Sequence, residues 1–109
     1  MTKRPLELLT ESMFYVLMAL NREAMCGIDV AAFIEQKTQG RLQIGPATLY
    51  TILGKFESEH YIQEVAVDGR KRTYRITEKG RRAYQAELAR LRCFLTDAES
   101  EPMSLEEML

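Results

Sequence analysis

Apolar residues recur at helical spacing in four stretches of this chain and alternate with polar ones in a fifth. Over residues 11–21 the apolar positions include Met13, Phe14, Val16, Leu17 and Leu20, three or four apart. That spacing predicts one broad buried helix face, with Thr10 as N-cap. Gly27 opens a second helical segment in which Ile28, Ala31 and Ile34 or Phe33 share a face, and Gly40 closes it. After a short link at residues 41–44, Gly45-Pro46 starts a third helix, because proline suits the first helical position. Leu49, Ile52 or Leu53, and Phe56 mark its buried side. Thr48, Thr51 and Lys55 recur on the opposite side at the same period.

Beyond His60 the period changes to two. Val65 and Val67 alternate with Glu64 and Ala66, and Tyr74 and Ile76 with Thr73 and Arg75. Asp68-Gly69 lies between them, a hairpin signal that places Arg70, Lys71 and Arg72 just beyond the tip. Thr77 is expected to cap a fourth helix that carries Glu78 in its first turn and runs to about Asp97. Within it Tyr84, Leu88, Leu91 and Leu95 form a seam with coiled-coil spacing. Pro102 argues against one helix through the acidic remainder. The expected fold is mainly α with a small β-hairpin (α+β): a winged helix-turn-helix over residues 1–76, a dimerisation helix over 77–97, and an acidic, flexible tail over 98–109.

The net charge of −1 looks unsuited to nucleic acid until the chain is divided. Residues 41–82 hold nine Lys/Arg against five Asp/Glu, while residues 83–109 hold two against six. The basic middle segment therefore carries a local field that the bulk value hides. No apolar run approaches the ~20 residues of a membrane span, and the first residues lack a signal-peptide pattern, so a cytoplasmic location is expected. Cys26 and Cys93 stand alone, without C-x-x-C spacing or a histidine cluster. Two buried free thiols are expected, with no metal and no cofactor. His60, the single histidine, is expected to cap helix carbonyls or to lie exposed. With no nucleophile motif and no phosphate loop, nothing suggests an enzyme.

Three helices followed by a hairpin place the third helix in a major groove and the hairpin on the neighbouring backbone. A groove-facing helix side must be slim and hydrogen-bonding, with cations at phosphate distance. Ala47, Thr48 and Thr51 meet the first demand and are expected to face bases. Tyr50 and Lys55 are expected on phosphates, and Arg70, Lys71 and Arg72 along the flanking backbone. The expected partners are double-stranded DNA and a second copy of the chain. The alternative is a winged-helix protein–protein interaction module whose basic surface meets an acidic partner.

The nine residues Gly45-Pro46-Ala47-Thr48-Leu49-Tyr50-Thr51-Ile52-Leu53 resemble the recognition-helix signature of the PadR family of transcriptional repressors. Gly27-Ile28-Asp29 is similar to the start of that family's second helix, residues 68–77 to its basic wing, and Glu78-Lys79-Gly80 to the start of its dimerisation helix. The likeness covers about residues 8–95 and is closest to the short-tailed branch. It implies a homodimer built through the fourth helix, touching the first, with two recognition helices on a palindromic operator. For some members of that branch it also implies release by a small hydrophobic or aromatic effector held in an interface pore by a tryptophan from each subunit. This chain has no tryptophan, and Leu91 takes that position. Met13, Phe14, Met18, Leu91 and Phe94 are the candidates for lining such a cavity, beside Tyr84.

Overall fold

The computed structural model describes residues 9–102. Its elements are α1 (Glu11–Arg22), β1 (Met25–Cys26), α2 (Gly27–Lys37), α3 (Pro46–Ser58), β2 (Ile62–Asp68), β3 (Lys71–Ile76) and α4 (Glu78–Glu99). The polar start before residue 9 and the tail beyond residue 102 lie outside the described residues.

The helix signals act where they were expected. The Thr10 side chain accepts from the Met13 amide at the start of α1, and Thr77 from the Gly80 amide at the start of α4. Pro46 occupies the first turn of α3. Past the end of α2, the Gly40 amide donates to the Glu35 carbonyl at 2.8 Å, with Gly40 at φ 80°. Glycine takes that left-handed conformation without a Cβ penalty.

Three expectations are corrected. First, the sheet has three strands in the order β1-β3-β2, because Met25 and Cys26 pair antiparallel with Tyr74 and Thr73. A two-residue strand has no periodicity to detect. Second, Ile28 is 76% exposed, and α2 turns Gly27, Val30 and Ile34 inward instead. Third, Cys93 is exposed because α4 extends beyond the domain it packs on; Cys26 is buried and both thiols are free.

The wing also differs in detail. Asp68 pairs with Lys71, so Gly69 (φ 61°) and Arg70 form the two-residue loop. Glu64 pairs with Tyr74 and Ala66 with the adjacent Thr73, which leaves Val65 as the extra residue of a bulge.

One core joins α1, α2, α3 and the sheet. Phe56, Leu17, Leu20, Ile34, Leu53, Val16 and Val30 are its largest fully buried side chains. Burying each such side chain contributes about 1.5–3 kcal/mol, so this cluster fixes the orientation of α3. His60 is exposed with a positive φ of 61°, and its carbonyl accepts the Thr77 hydroxyl at 2.6 Å. That bond ties the root of β2 to the start of α4.

Candidate nucleic-acid interface

Burial of Leu49, Ile52, Leu53 and Phe56 leaves Ala47, Thr48, Tyr50, Thr51 and Lys55 on the exposed surface of α3. The Thr51 hydroxyl donates to the Ala47 carbonyl at 2.9 Å. This bond restrains its rotamer and uses its hydroxyl proton within the helix.

The candidates fall into two hollows. Tyr50 shares a cleft of about 540 Å³ with Arg70, Lys71 and Arg72 of the wing, together with residues 26–29 and Tyr74. Ala47, Thr48, Thr51 and Lys55 line a shallower hollow of about 370 Å³ against Thr10, which caps the first helix, and Ser12 and Met13 within it. The wing cations thus share a cleft with Tyr50, and Lys55 lines the other hollow. Sequence periodicity missed Ile28, Thr10 and Ser12 as neighbours of these surfaces. For Ile28 the available signal was the competing face Gly27, Val30 and Ile34, also at i, i+3, i+7, which turns Ile28 outward.

Arg72 pairs with Glu64 at 3.3 Å across the hairpin. Neither Arg70 nor Lys71 forms an ion pair among the described residues. The outer edge of the Tyr50 ring lies close to Gly27: a β-carbon there would be 3.4 Å from its Cε1 and hydroxyl atoms. Tyr74, at the floor of the cleft, is buried, and burial first, then nearby Glu57, raises its phenol pKa. It remains an uncharged donor.

The seam on α4 divides. Tyr84 is buried in its own chain and stacks on Phe14, with centroids 5.1 Å apart. Leu88 is half-buried, while Leu91 and Leu95 are exposed at 37% and 59%, alongside Phe94 at 54%. The candidate effector residues do not converge. Phe14 and Leu91 line a hollow of about 300 Å³ between α1 and α4, whereas Met13 is buried in the core and borders the hollow beside α3. Met18 packs against the core, and Phe94 lies beneath the Arg90 guanidinium at 4.8 Å.

Glu87 was not anticipated. It is 4% exposed, accepts the Leu9 amide at 3.1 Å, and receives both the Nε and Nη2 donors of Arg90. The Arg90 hydrogen bonds, helped by the Leu9 amide and opposed by burial, hold its carboxyl below the ordinary value. The i,i+3 spacing of Glu87 and Arg90 was the available signal.

Three helices with a basic hairpin behind the third define a winged helix-turn-helix protein. The transcriptional regulator PadR-like family model matches residues 16–86, and the chain belongs to that family. No curated protein matches the sequence. Solved structures share the fold at low identity. A transcriptional regulator from Clostridium thermocellum is 20% identical, with TM-score 0.74, covering 88% of this chain and 100% of that one. A PadR family transcription regulator from Clostridium difficile R20291 is 15% identical, with TM-score 0.68, covering 82% and 94%. Bacillus subtilis PadR, solved in complex with operator DNA, is 17% identical, with TM-score 0.67; the match covers 90% of this chain and 52% of that one. No helix among the described residues is long and apolar enough to cross a membrane.

Proposed function

We propose that this chain is a cytoplasmic, sequence-specific DNA-binding repressor that acts as a homodimer on a palindromic operator. The observation that carries the reading is the exposed row Ala47, Thr48 and Thr51 on α3, flanked by Lys55 and by the wing cations Arg70, Lys71 and Arg72. Membership of a family of transcriptional regulators and the fold shared with an operator-bound relative support it.

In this reading Ala47, Thr48 and Thr51 meet base edges, where hydroxyl and methyl groups discriminate among pairs. Tyr50 and Lys55 hold phosphates and set the register. Arg70, Lys71 and Arg72 follow the flanking backbone and supply salt-dependent affinity. Two copies join through Leu88, Leu91 and Leu95, whose exposed apolar surface suits a second copy of the same helix. Tyr84 supports that seam from inside its own chain.

The 1–76 unit thus reads DNA, and the helix that follows pairs two such units. A small hydrophobic or aromatic effector at the α1–α4 hollow, beside Phe14 and Leu91, releases the operator by shifting the spacing of the two recognition helices. Selection of bound duplexes from a random pool tests the reading. A motif with a dyad is expected; a motif without one, or no enrichment, contradicts the dimeric operator.

A further inference from the structure

We propose that Glu64 is a positioning residue for the wing: it holds Arg72 within the hairpin, and Arg72 exchanges this carboxylate for a DNA phosphate on binding. The exchange rests on the proposed DNA reading.

The three wing cations are not equivalent. Arg72 Nη1 lies 3.3 Å from Glu64 Oε2, whereas Arg70 and Lys71 have no ion-pair partner among the described residues. The hairpin register sets this difference. Glu64 opposes Tyr74, and Arg72 lies two residues from Tyr74 on the same strand, so Glu64 and Arg72 are diagonal neighbours on one face. Arg72 and Tyr74 both border the cleft that contains Tyr50, so the pair lies beside the surface assigned to DNA. Arg70 sits in the two-residue loop, and Lys71 opposes Asp68.

Burial decides which partner moves. The Glu64 side chain is 29% exposed and that of Arg72 61%, so the carboxylate is fixed in the hairpin and the guanidinium is free to swing outward. One guanidinium nitrogen meets one carboxylate oxygen, without the second bond of a bidentate fork. Exposed pairs of this kind are weak, worth at most about fivefold in an equilibrium. A phosphate that Arg70 or Lys71 already holds nearby displaces such a partner.

The exchange has a signature in salt. A cation that meets a phosphate releases the counterion condensed there. Arg72 also uncovers the Glu64 carboxylate as it leaves, and that carboxylate gathers a cation from solution. The two changes nearly cancel. Arg72 therefore adds little to the salt slope while Glu64 is present, and about one once Glu64 is neutral. Glu64 thereby restrains sequence-independent affinity without meeting a base.

The exchange is tested by the affinities of the full chain, Glu64→Gln, Arg72→Gln and the double variant for a selected and a scrambled duplex across a salt series. Asp68→Asn, made with and without Arg72→Gln, is the control, because Asp68 is a wing carboxylate outside any ion pair among the described residues. Glutamine keeps the length of the Glu64 side chain, so the variants are expected to fold, and unchanged core amide shifts check this. Glu64→Gln is expected to tighten binding about two- to fivefold on both duplexes and to steepen the salt slope by about one. With Arg72→Gln already present, Glu64→Gln should leave the slope unchanged and give no more gain than Asp68→Asn. Equal gains in the two Arg72 backgrounds would overturn the exchange, as would weaker binding by Glu64→Gln when Arg72 is present. Duplex binding with purely additive effects refutes the exchange alone, whereas no duplex binding by any of the proteins refutes the DNA reading and the exchange together.

Discussion

A β-carbon on Gly80 would lie 2.1 Å from the carbonyl oxygen of Tyr61, a separation no side chain tolerates. The first turn of α4 is pressed onto the chain just before β2, where the same Tyr61 carbonyl accepts the Thr77 amide at 2.9 Å. Gly80 is what lets the helix that carries the seam start against the root of the wing. Gly80→Ala is therefore expected to destabilise the fold by about 1–3 kcal/mol or more, since backbone has to shift to admit the methyl. Urea unfolding of the variant beside the parent checks this; an unchanged midpoint would contradict the close approach.

The seam on α4 separates into an inner and an outer part. Tyr84 is buried against Phe14 within one chain, so Tyr84→Ala is expected to cost about 3–5 kcal/mol of stability in the manner of a large core truncation. Leu91 and Leu95 are exposed, so Leu91→Asp and Leu95→Asp are expected to spare the monomer core and halve the mass in solution. Sedimentation of each variant distinguishes the two. A dimer that survives both aspartates has its interface elsewhere.

Glu87 links the residue before α1 to α4 through the Leu9 amide and Arg90. Its folded-state carboxyl lies below the ordinary value of 4.5, chiefly because of the Arg90 hydrogen bonds. Above that ordinary value the group is ionised in both states and its contribution is complete. As pH falls below it, the unfolded chain takes up the proton first, and the contribution is lost down through the folded-state pKa. Glu87→Gln is expected to lower stability at neutral pH by about 1–3 kcal/mol. The gap between the two proteins should shrink in acid. A gap that is constant with pH would contradict the ion pair.

Positioning and reading contacts make different predictions on α3 and the wing. Arg70→Gln or Lys71→Gln should weaken binding alike on every duplex and reduce the salt slope by roughly one per lost contact. Thr48→Ala or Thr51→Ala should change which duplexes are preferred, at about 1–3 kcal/mol for an affected base pair. Competition among variant operators separates these outcomes. Identical behaviour of the two classes would reject the assignment of roles.

Much of this architecture was legible because local signals agreed with the tertiary demand. Thr10, Thr77 and Pro46 begin helices by satisfying or lacking orphan amides, and Asp68-Gly69 marks the hairpin. What was hidden depends on contacts far apart in the chain. The two-residue β1 exists only through its pairing with β3, and the bulge at Val65 breaks the alternation that strand periodicity assumes. Ile28 carries an apolar side chain on an exposed helix start, against the rule used to choose the buried face of α2. The candidate DNA residues were chosen from one face of α3, but their division between two hollows follows from where α1 and the wing sit. Glu87 is buried because Leu9 and Arg90 enclose it, and a lone glutamate on a polar helix gives little sign of that.

The most direct test of the DNA-binding account is the affinity of the full chain for a selected and a scrambled duplex across a salt series, with its mass measured in the same buffer. The account predicts a dimer that prefers the selected duplex and loses affinity on both steeply as salt rises. Equal, salt-insensitive binding to the two duplexes, or no binding at low salt, would contradict it.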